Sequence, residues 1–368
     1  MRAVVDAKAF FRALDTVSKV LRKSACIPVL GEALIRFSGG RCVLTGTDLD
    51  TWLITEIPAR GDDFAFVFHR TANVVKACRC FCGELALELT ETGEGRNRQL
   101  KLCMSCGSRD GEFHAFFPED YPEMPELESE PERSFAVNAA GLMERINRIR
   151  YATLKSSANA DARSTSIQFS GSRIYCLDGV RAAWSTDEAM SVPKPFMLSA
   201  ASLEHLKLFG KQDVSVQLGK RYVDITDGTL HLMFRQVEAI PFDLDSAIPT
   251  QFREEVDLCP DEFLAELAYL KNLLPTAQKP YVRFCGGRLL TQADGCRYQT
   301  RIRLDGRCEM EIGFNLHHMA DALRQFKGEP RVRMKLTTPI SPIILEAEGR
   351  NDCAMVLPVR LKALPAAA

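Results

Sequence analysis

RFSGGR (Arg36–Arg41), QFSGSR (Gln168–Arg173) and RFCGGR (Arg283–Arg288) are three versions of one phrase, spaced 132 and 115 residues apart in a chain of 368. Each lies between two runs of alternating apolar residues, so each reads as a hairpin turned at glycine, where positive φ costs least. The spacing is close to a third of the chain, which predicts a protein built from three copies of one unit.

The flanking elements repeat as well. A helix period precedes each hairpin, over residues 7–23, 138–155 and 261–274. A second follows it, over 70–81, 200–211 and 315–328. Alternating strands close each unit, at LALEL (85–89), VSVQL (214–218) and VRMKL (332–336). Two stretches rich in Pro and acid, 117–133 and 240–255, interrupt the pattern and place boundaries near 131 and 254. The expected fold is α+β: three similar domains, 1–131, 132–254 and 255–368, each with two helices on antiparallel sheets. Each third is long enough to bury a core of its own.

The composition is that of a globular chain, 46% hydrophobic and 26% charged. No apolar run reaches the length of a membrane span. Asp6, Lys8 and Arg12 sit where a signal peptide would be apolar, so an unprocessed cytoplasmic protein is expected. Thirteen cysteines fit buried thiols better than a disulfide framework. Cys78, Cys80, Cys82, Cys103 and Cys106 have spacings that a zinc site would use, but small hydrophobes filling a core is the simpler reading. Asp48 and Asp50 would share a strand face and hold a cation only if they were not turn formers. No metal and no cofactor is assigned.

The formal net charge is only −1, yet the charge is segregated. Five of the six helix candidates carry a surplus of Lys and Arg, and the segments between them are correspondingly acidic. The exception is 261–274, with Asp261, Glu262 and Glu266. On the first helix Phe10, Leu14, Val17 and Leu21 share one face, while Lys8, Arg12, Lys19 and Lys23 fall opposite. Basic helices without interleaved aromatics suit phosphate contact, not base stacking. The candidate DNA-contact residues are Lys8, Arg12, Lys19, Arg22, Lys23, Arg70, Lys76, Arg79, Arg148, Lys155, Lys207 and Lys211. No phosphate loop, nucleophile elbow or H-E-x-x-H helix is present, and His317 and His318 are adjacent, so no residue pair proposes a reaction.

IPVLGEALIRFSGGRCVLTGTDLD (27–50), LDGVRAAW (177–184), MEIGFNLHHMADAL (310–323) and MVLPVRL (355–361) resemble the bacterial DNA polymerase III beta subunit, the replication sliding clamp. The resemblance spans essentially the whole chain. It implies a non-enzymatic, head-to-tail homodimer: a ring of six domains with twelve helices lining its hole, which encloses duplex DNA and tethers a polymerase. It also implies a pocket for short Leu- and Phe-bearing peptides of the polymerase and the clamp loader. The matching positions are Leu177, Gly179, Arg181, Ala182, Phe242, Ala247, Asn315, His318, Ile340, Met355, Val356, Leu357, Pro358, Val359, Arg360 and Leu361. Leu273 and Leu274 match apolar residues of the dimer contact, whose facing edge lies around Arg109 to His114.

Several positions depart from the family pattern. In the pocket, Ser164, Val180 and Ala182 replace a usual Leu, His and Leu. Among DNA contacts, Ser24 replaces a basic residue beside Arg22 and Lys23, Ala162 replaces an aromatic, and Ser199 and Ala200 occupy a place that is often basic. The tail after Leu361 extends past the usual end and is placed to cover part of the pocket. These departures mark a divergent member, a second clamp with altered partners. The alternative is a clamp-like binding protein that no longer encircles DNA.

Overall fold

A computed structural model describes residues 1–22, 27–93, 98–128, 134–155, 160–276 and 278–361. Lys23, Ser24, the boundary near 131 and the tail 362–368 lie outside them.

The described residues form six successive strand–helix–three-strand modules. The first is β1 (Arg2–Asp6), α1 (Ala7–Val17), β2 (Leu34–Ser38), β3 (Arg41–Thr47) and β4 (Thr51–Gly61). The second is β5 (Phe64–Phe68), α2 (Thr71–Cys78), β6 (Glu84–Thr92), β7 (Gln99–Cys106) and β8 (Arg109–Phe116). The third is β9 (Ser134–Asn138), α3 (Ala139–Ile149), β10 (Ser166–Gly171), β11 (Arg173–Leu177) and β12 (Arg181–Thr186). In the fourth, β13 (Val192–Ser199) enters a 3₁₀ helix, Ser202–Phe209, followed by β14 (Asp213–Leu218), β15 (Tyr222–Thr226) and β16 (Leu230–Arg235). A short helix α4 (Leu244–Ala247) precedes the fifth: β17 (Glu254–Leu258), α5 (Pro260–Leu273), β18 (Tyr281–Cys285), β19 (Arg288–Ala293) and β20 (Cys296–Arg301). After the short β21 (Leu304–Asp305) the sixth comprises β22 (Ile312–Asn315), α6 (Leu316–Arg324), β23 (Val332–Leu336), β24 (Ile343–Glu346) and β25 (Asp352–Val356).

The three quoted phrases are the β2–β3, β10–β11 and β18–β19 hairpins, with Gly39, Gly40, Gly171, Gly286 and Gly287 all at positive φ. The modules interlock in pairs. The strand entering each helix pairs with the strand leaving the helix of the sister module: β1 with β6, β5 with β2, β9 with β14, β13 with β10, β17 with β23 and β22 with β18.

These elements fall into two compact units. The first, Met1–Gly141 with Ser202–Gln236, holds one sheet of twelve strands, in which β4 pairs with β16. The second, Leu142–Ala201 with the described residues from Val237, holds a nine-stranded sheet, joined through β12 and β25, and a four-stranded one. Its core centres on Phe263, Phe284, Phe314 and Phe326, all fully buried. Among the described residues no helix is long and apolar enough to cross a membrane.

Local chemistry explains where the helices begin and end. Asp6 caps α1 by accepting from the Ala9 N–H, and Phe10, Leu14 and Val17 are buried while Lys8 and Arg12 stay exposed. The helix stops at Val17, short of the expected 23, at a Thr-Val-Ser run of weak helix formers. The expected helix over 138–155 ends at Ile149 and tightens to 3₁₀ over Arg150–Ala152. The 200–211 segment is 3₁₀ rather than α, because Leu203, Leu206 and Phe209 recur every third residue, the spacing that aligns side chains in that helix.

Candidate binding surfaces

In the first unit Lys8 and Arg12 stand on the exposed face of α1, Lys76 on α2, and Arg70 and Arg79 at the two ends of α2. The entry to α2 is fixed from a distance: Glu32 accepts from the Arg70 and Thr71 N–H groups at 2.8 and 2.5 Å. Lys19 lies just beyond α1, 3.6 Å from Asp15, and Lys207 pairs with Glu204. Lys211 is exposed after the 3₁₀ helix. Arg22 faces Asp48 and Asp50 at 3.6 and 3.4 Å. Asp48 is a turn former: its Oδ1 accepts from the Asp50 and Thr51 N–H groups. Most of these cations sit in water, able to meet a phosphate without a desolvation cost.

In the second unit Lys155 is exposed. Arg148 is committed, donating to Asp352 at 2.9 Å and to Glu144, with Asp352 also held by Arg350. Arg148 is therefore the DNA candidate least able to leave its partners. Of the cysteines weighed for zinc, Cys78 and Cys106 are core residues, and burial pushes the Cys78 thiol up to about 12. Among the described residues no three such side chains converge on a metal-sized space.

Five of the expected pocket residues gather at the β12–β25 junction. Ala182 stands opposite Met355, and the ladder continues where the Leu357 N–H donates to the Val180 carbonyl at 2.9 Å. Leu177, Phe242, Ala247, Met355 and Ala182 pack together with Tyr175, Trp184, Leu244 and Ile344. The 240s segment is pinned there from both sides: Tyr175 Oη donates to the Phe242 carbonyl at 2.9 Å, and Gln168 accepts from the Phe242 N–H at 2.8 Å. Strand alternation sends Val356 the other way, fully buried in the Phe263 core, so it lines no surface.

Below this cluster the turn Asp178–Arg181 is closed by Asp178 accepting from the Val180 and Arg181 N–H groups, with Gly179 at φ 87°. The Arg181 guanidinium grips Asp178 Oδ2 at 2.6 and 2.9 Å and Asp321 at 2.6 Å. Asn315 spends its side chain capping α6, accepting from His317 and His318. The Val359 N–H donates to the Gly313 carbonyl, and a Cβ at Gly313 would collide with Leu361. Two clefts flank this segment. One of about 600 Å³ is lined by Ile340, Arg360 and Leu361, and one of about 460 Å³ by Tyr281, Leu290 and Val359. Ile340 is 69% exposed at the lip, an apolar side chain with no cover among the described residues.

Sequence reading missed Tyr175, Trp184, Leu244 and Ile344. Alternation along β11 and β12 carries the signal for the first two. Of the departing positions, Ser164 is buried, with its hydroxyl donating to the Asp161 carbonyl, and Val180 is exposed at the turn.

Burial, and then the neighbouring Arg181, hold His318 below the usual histidine range. A depressed histidine binds fewer protons folded than unfolded, so stability is lost as pH falls through the unfolded value near 6.5 toward the folded one. NMR titration should show His318 neutral at pH 7 and its pKa rising in Arg181→Met.

Residues 301–360 match the family model described as DNA polymerase III beta subunit, C-terminal domain. The whole chain is similar to the beta sliding clamps of Pseudomonas aeruginosa, 21% identical, and Escherichia coli K12, 23% identical. Each alignment covers 98% of this chain and all of the relative. The crystal structure of the DNA polymerase sliding clamp from Caulobacter crescentus superposes with a TM-score of 0.83 at 18% identity, over 98% of this chain and all of that one.

This chain has the sliding-clamp fold.

The resemblance to the DNA polymerase III beta subunit thus extends from quoted segments to the whole α+β architecture. Of the residues expected in a peptide pocket, Leu177, Ala182, Phe242, Ala247 and Met355 meet in the β12–β25 cluster, while Ile340, Val359, Arg360 and Leu361 line the two clefts.

Proposed function

We propose that this protein is a DNA sliding clamp: a non-catalytic processivity factor, in which two copies close head to tail around duplex DNA and tether a polymerase. The observation that carries the reading is the pattern of module junctions. The last strand of module one pairs with that of module four (β4–β16), and that of module three with that of module six (β12–β25). The same rule would join the last strand of module five, β20, to that of module two, β8. Within one chain that bond is absent among the described residues: β20 pairs only with β19, and Arg109–His114 of β8 only with β7. A second copy satisfies both edges, and Arg297 and Arg301 on β20 would meet Asp110 and Glu112 on β8. The modules then group as three domains, 1–131, 132–254 and 255–368.

On this reading Lys8, Arg12, Lys76 and their neighbours supply a screened, sequence-blind attraction that permits sliding. The β12–β25 pocket takes Leu/Phe peptides of the polymerase and clamp loader, whose apolar anchors find walls such as Leu177, Phe242 and Met355. Tethering makes re-encounter with the template intramolecular. The site of action is the bacterial cytoplasm.

The test is topological. Loaded onto nicked circular DNA, the protein should stay bound through gel filtration at high salt, and leave when the circle is linearised. Equal loss from both substrates would instead support a clamp-like binder that does not encircle DNA.

A further inference from the structure

We propose that the β4–β16 junction is a second peptide-docking groove, selective for apolar anchors flanked by Lys or Arg. The first unit repeats the architecture of the β12–β25 pocket almost residue by residue. Asp48 closes its turn as Asp178 does, with each aspartate accepting from the second and third N–H groups after it. Leu49 takes the positive φ, 76°, that Gly179 takes at 87°. Met233 faces Trp52 across the junction as Met355 faces Ala182. The ladder is extended by the Arg235 N–H on the Asp50 carbonyl, as it is by Leu357 on Val180. Even the covering segment recurs: Pro118 and Glu119 line one cavity with Trp52 as Pro241 and Phe242 line another with Tyr175.

What differs is the chemistry of the walls. Two adjoining cavities, about 340 and 640 Å³, share Val43, Ile54 and Met124. Met124 is 53% exposed over a floor that includes Met233, and a pair of methionines adapts to varied apolar guests. Trp52, 2% exposed, has an indole N–H with no acceptor among the described residues. Unpaired buried donors are rare in folded proteins, and this one lies in the lining of the larger cavity. The rim is acidic at the exposed Glu119 and Glu123, while Glu56 is paired with Arg41 and the buried Asp224 with His231. Glu119 occupies the place after the proline that Phe242 holds in the other pocket. A rim of this sign steers cationic guests and repels acidic ones.

The groove takes its docking analogy from the peptide reading of the β12–β25 pocket, so the experiment separates the two. Fluorescence anisotropy is read on the full chain with three short labelled peptides. One has Leu and Phe anchors flanked by lysines, one has lysines without anchors, and one has Leu and Phe in a neutral frame. The lysine-flanked anchor peptide should bind saturably, and Met124→Ser with Glu123→Lys should weaken it about tenfold or more. Both positions are exposed, so the melting temperature should not move. The same double variant should leave the neutral peptide unaffected, whereas Ile340→Ser should weaken the neutral peptide alone. Equal binding of the anchor-free lysine peptide, or indifference to the Met124 and Glu123 substitutions, overturns the groove. Failure of the neutral peptide to bind anywhere, with the lysine-flanked one still responding to Met124, overturns the other pocket and leaves this one standing.

Discussion

Leu273→Asp is expected to turn the proposed dimer into a monomer at micromolar concentration and to abolish retention on circular DNA. Leu273 is the last residue of α5, half-buried, in the module that ends in the unpaired edge strand β20. A charge at the desolvated centre of a strand-to-strand interface costs about 2–4 kcal/mol, on the order of 30- to 700-fold in dissociation constant. Leu274 is less clean as a probe, because it packs against the Phe263 core and would damage folding too. Sedimentation equilibrium gives the answer directly. An unchanged dimer mass with Leu273→Asp would remove this residue from the interface.

The second large effect is on stability. Arg181→Ala should lower the unfolding free energy by about 3–5 kcal/mol, since it strands a buried carboxylate. Asp178 has a side chain only 1% exposed, and among the described residues its Oδ2 accepts from the Arg181 guanidinium alone. Asp178→Asn should recover much of the loss in the double variant, because the amide keeps the oxygen that closes the turn while removing the charge. Chemical denaturation of the four proteins in the cycle measures this. A single-variant loss below about 1 kcal/mol would mean that water reaches Asp178 in the folded protein.

The architecture was legible to different depths. The three glycine turns carried the three-fold repeat of the hairpin, since each needs positive φ at its first glycine and two of them at the next residue as well. The six-fold period was fainter, because the sister modules share an order of elements and no phrase. Strand partners were not legible at all: alternation tells which face of β4 is buried, but nothing local says that Trp52 lies opposite Met233. The 3₁₀ helix over Ser202–Phe209 was readable from Leu203, Leu206 and Phe209 had the third-residue spacing been weighed against the α period. Glu32 capping a helix almost forty residues later was beyond any local rule.

For the pocket, the resemblance supplied the list, and the physics sorts it. Leu177, Ala182, Phe242, Ala247 and Met355 meet in one cluster. Val356 belongs to the core by alternation, Asn315 is spent on a cap, and Arg181 stands in an ion-pair network. Lys8, Arg12 and Lys76 are exposed, but charge counting along one helix could not foresee that Arg148 is bound to Asp352, two hundred residues away.

The exchange of entry strands between sister modules has a consequence for biogenesis. Val4 is laddered to Ala86 and Ile35 to Phe66, so a growing chain that has delivered only the first module leaves β1 with its short pairing to β4 alone and leaves one edge of β2 open. The β2–β3–β4 meander can form early, but the interlocked sheet waits until the sister module has left the ribosome, and loop closure over such distances is slow. Each pair of modules therefore completes its sheet together, after both have emerged.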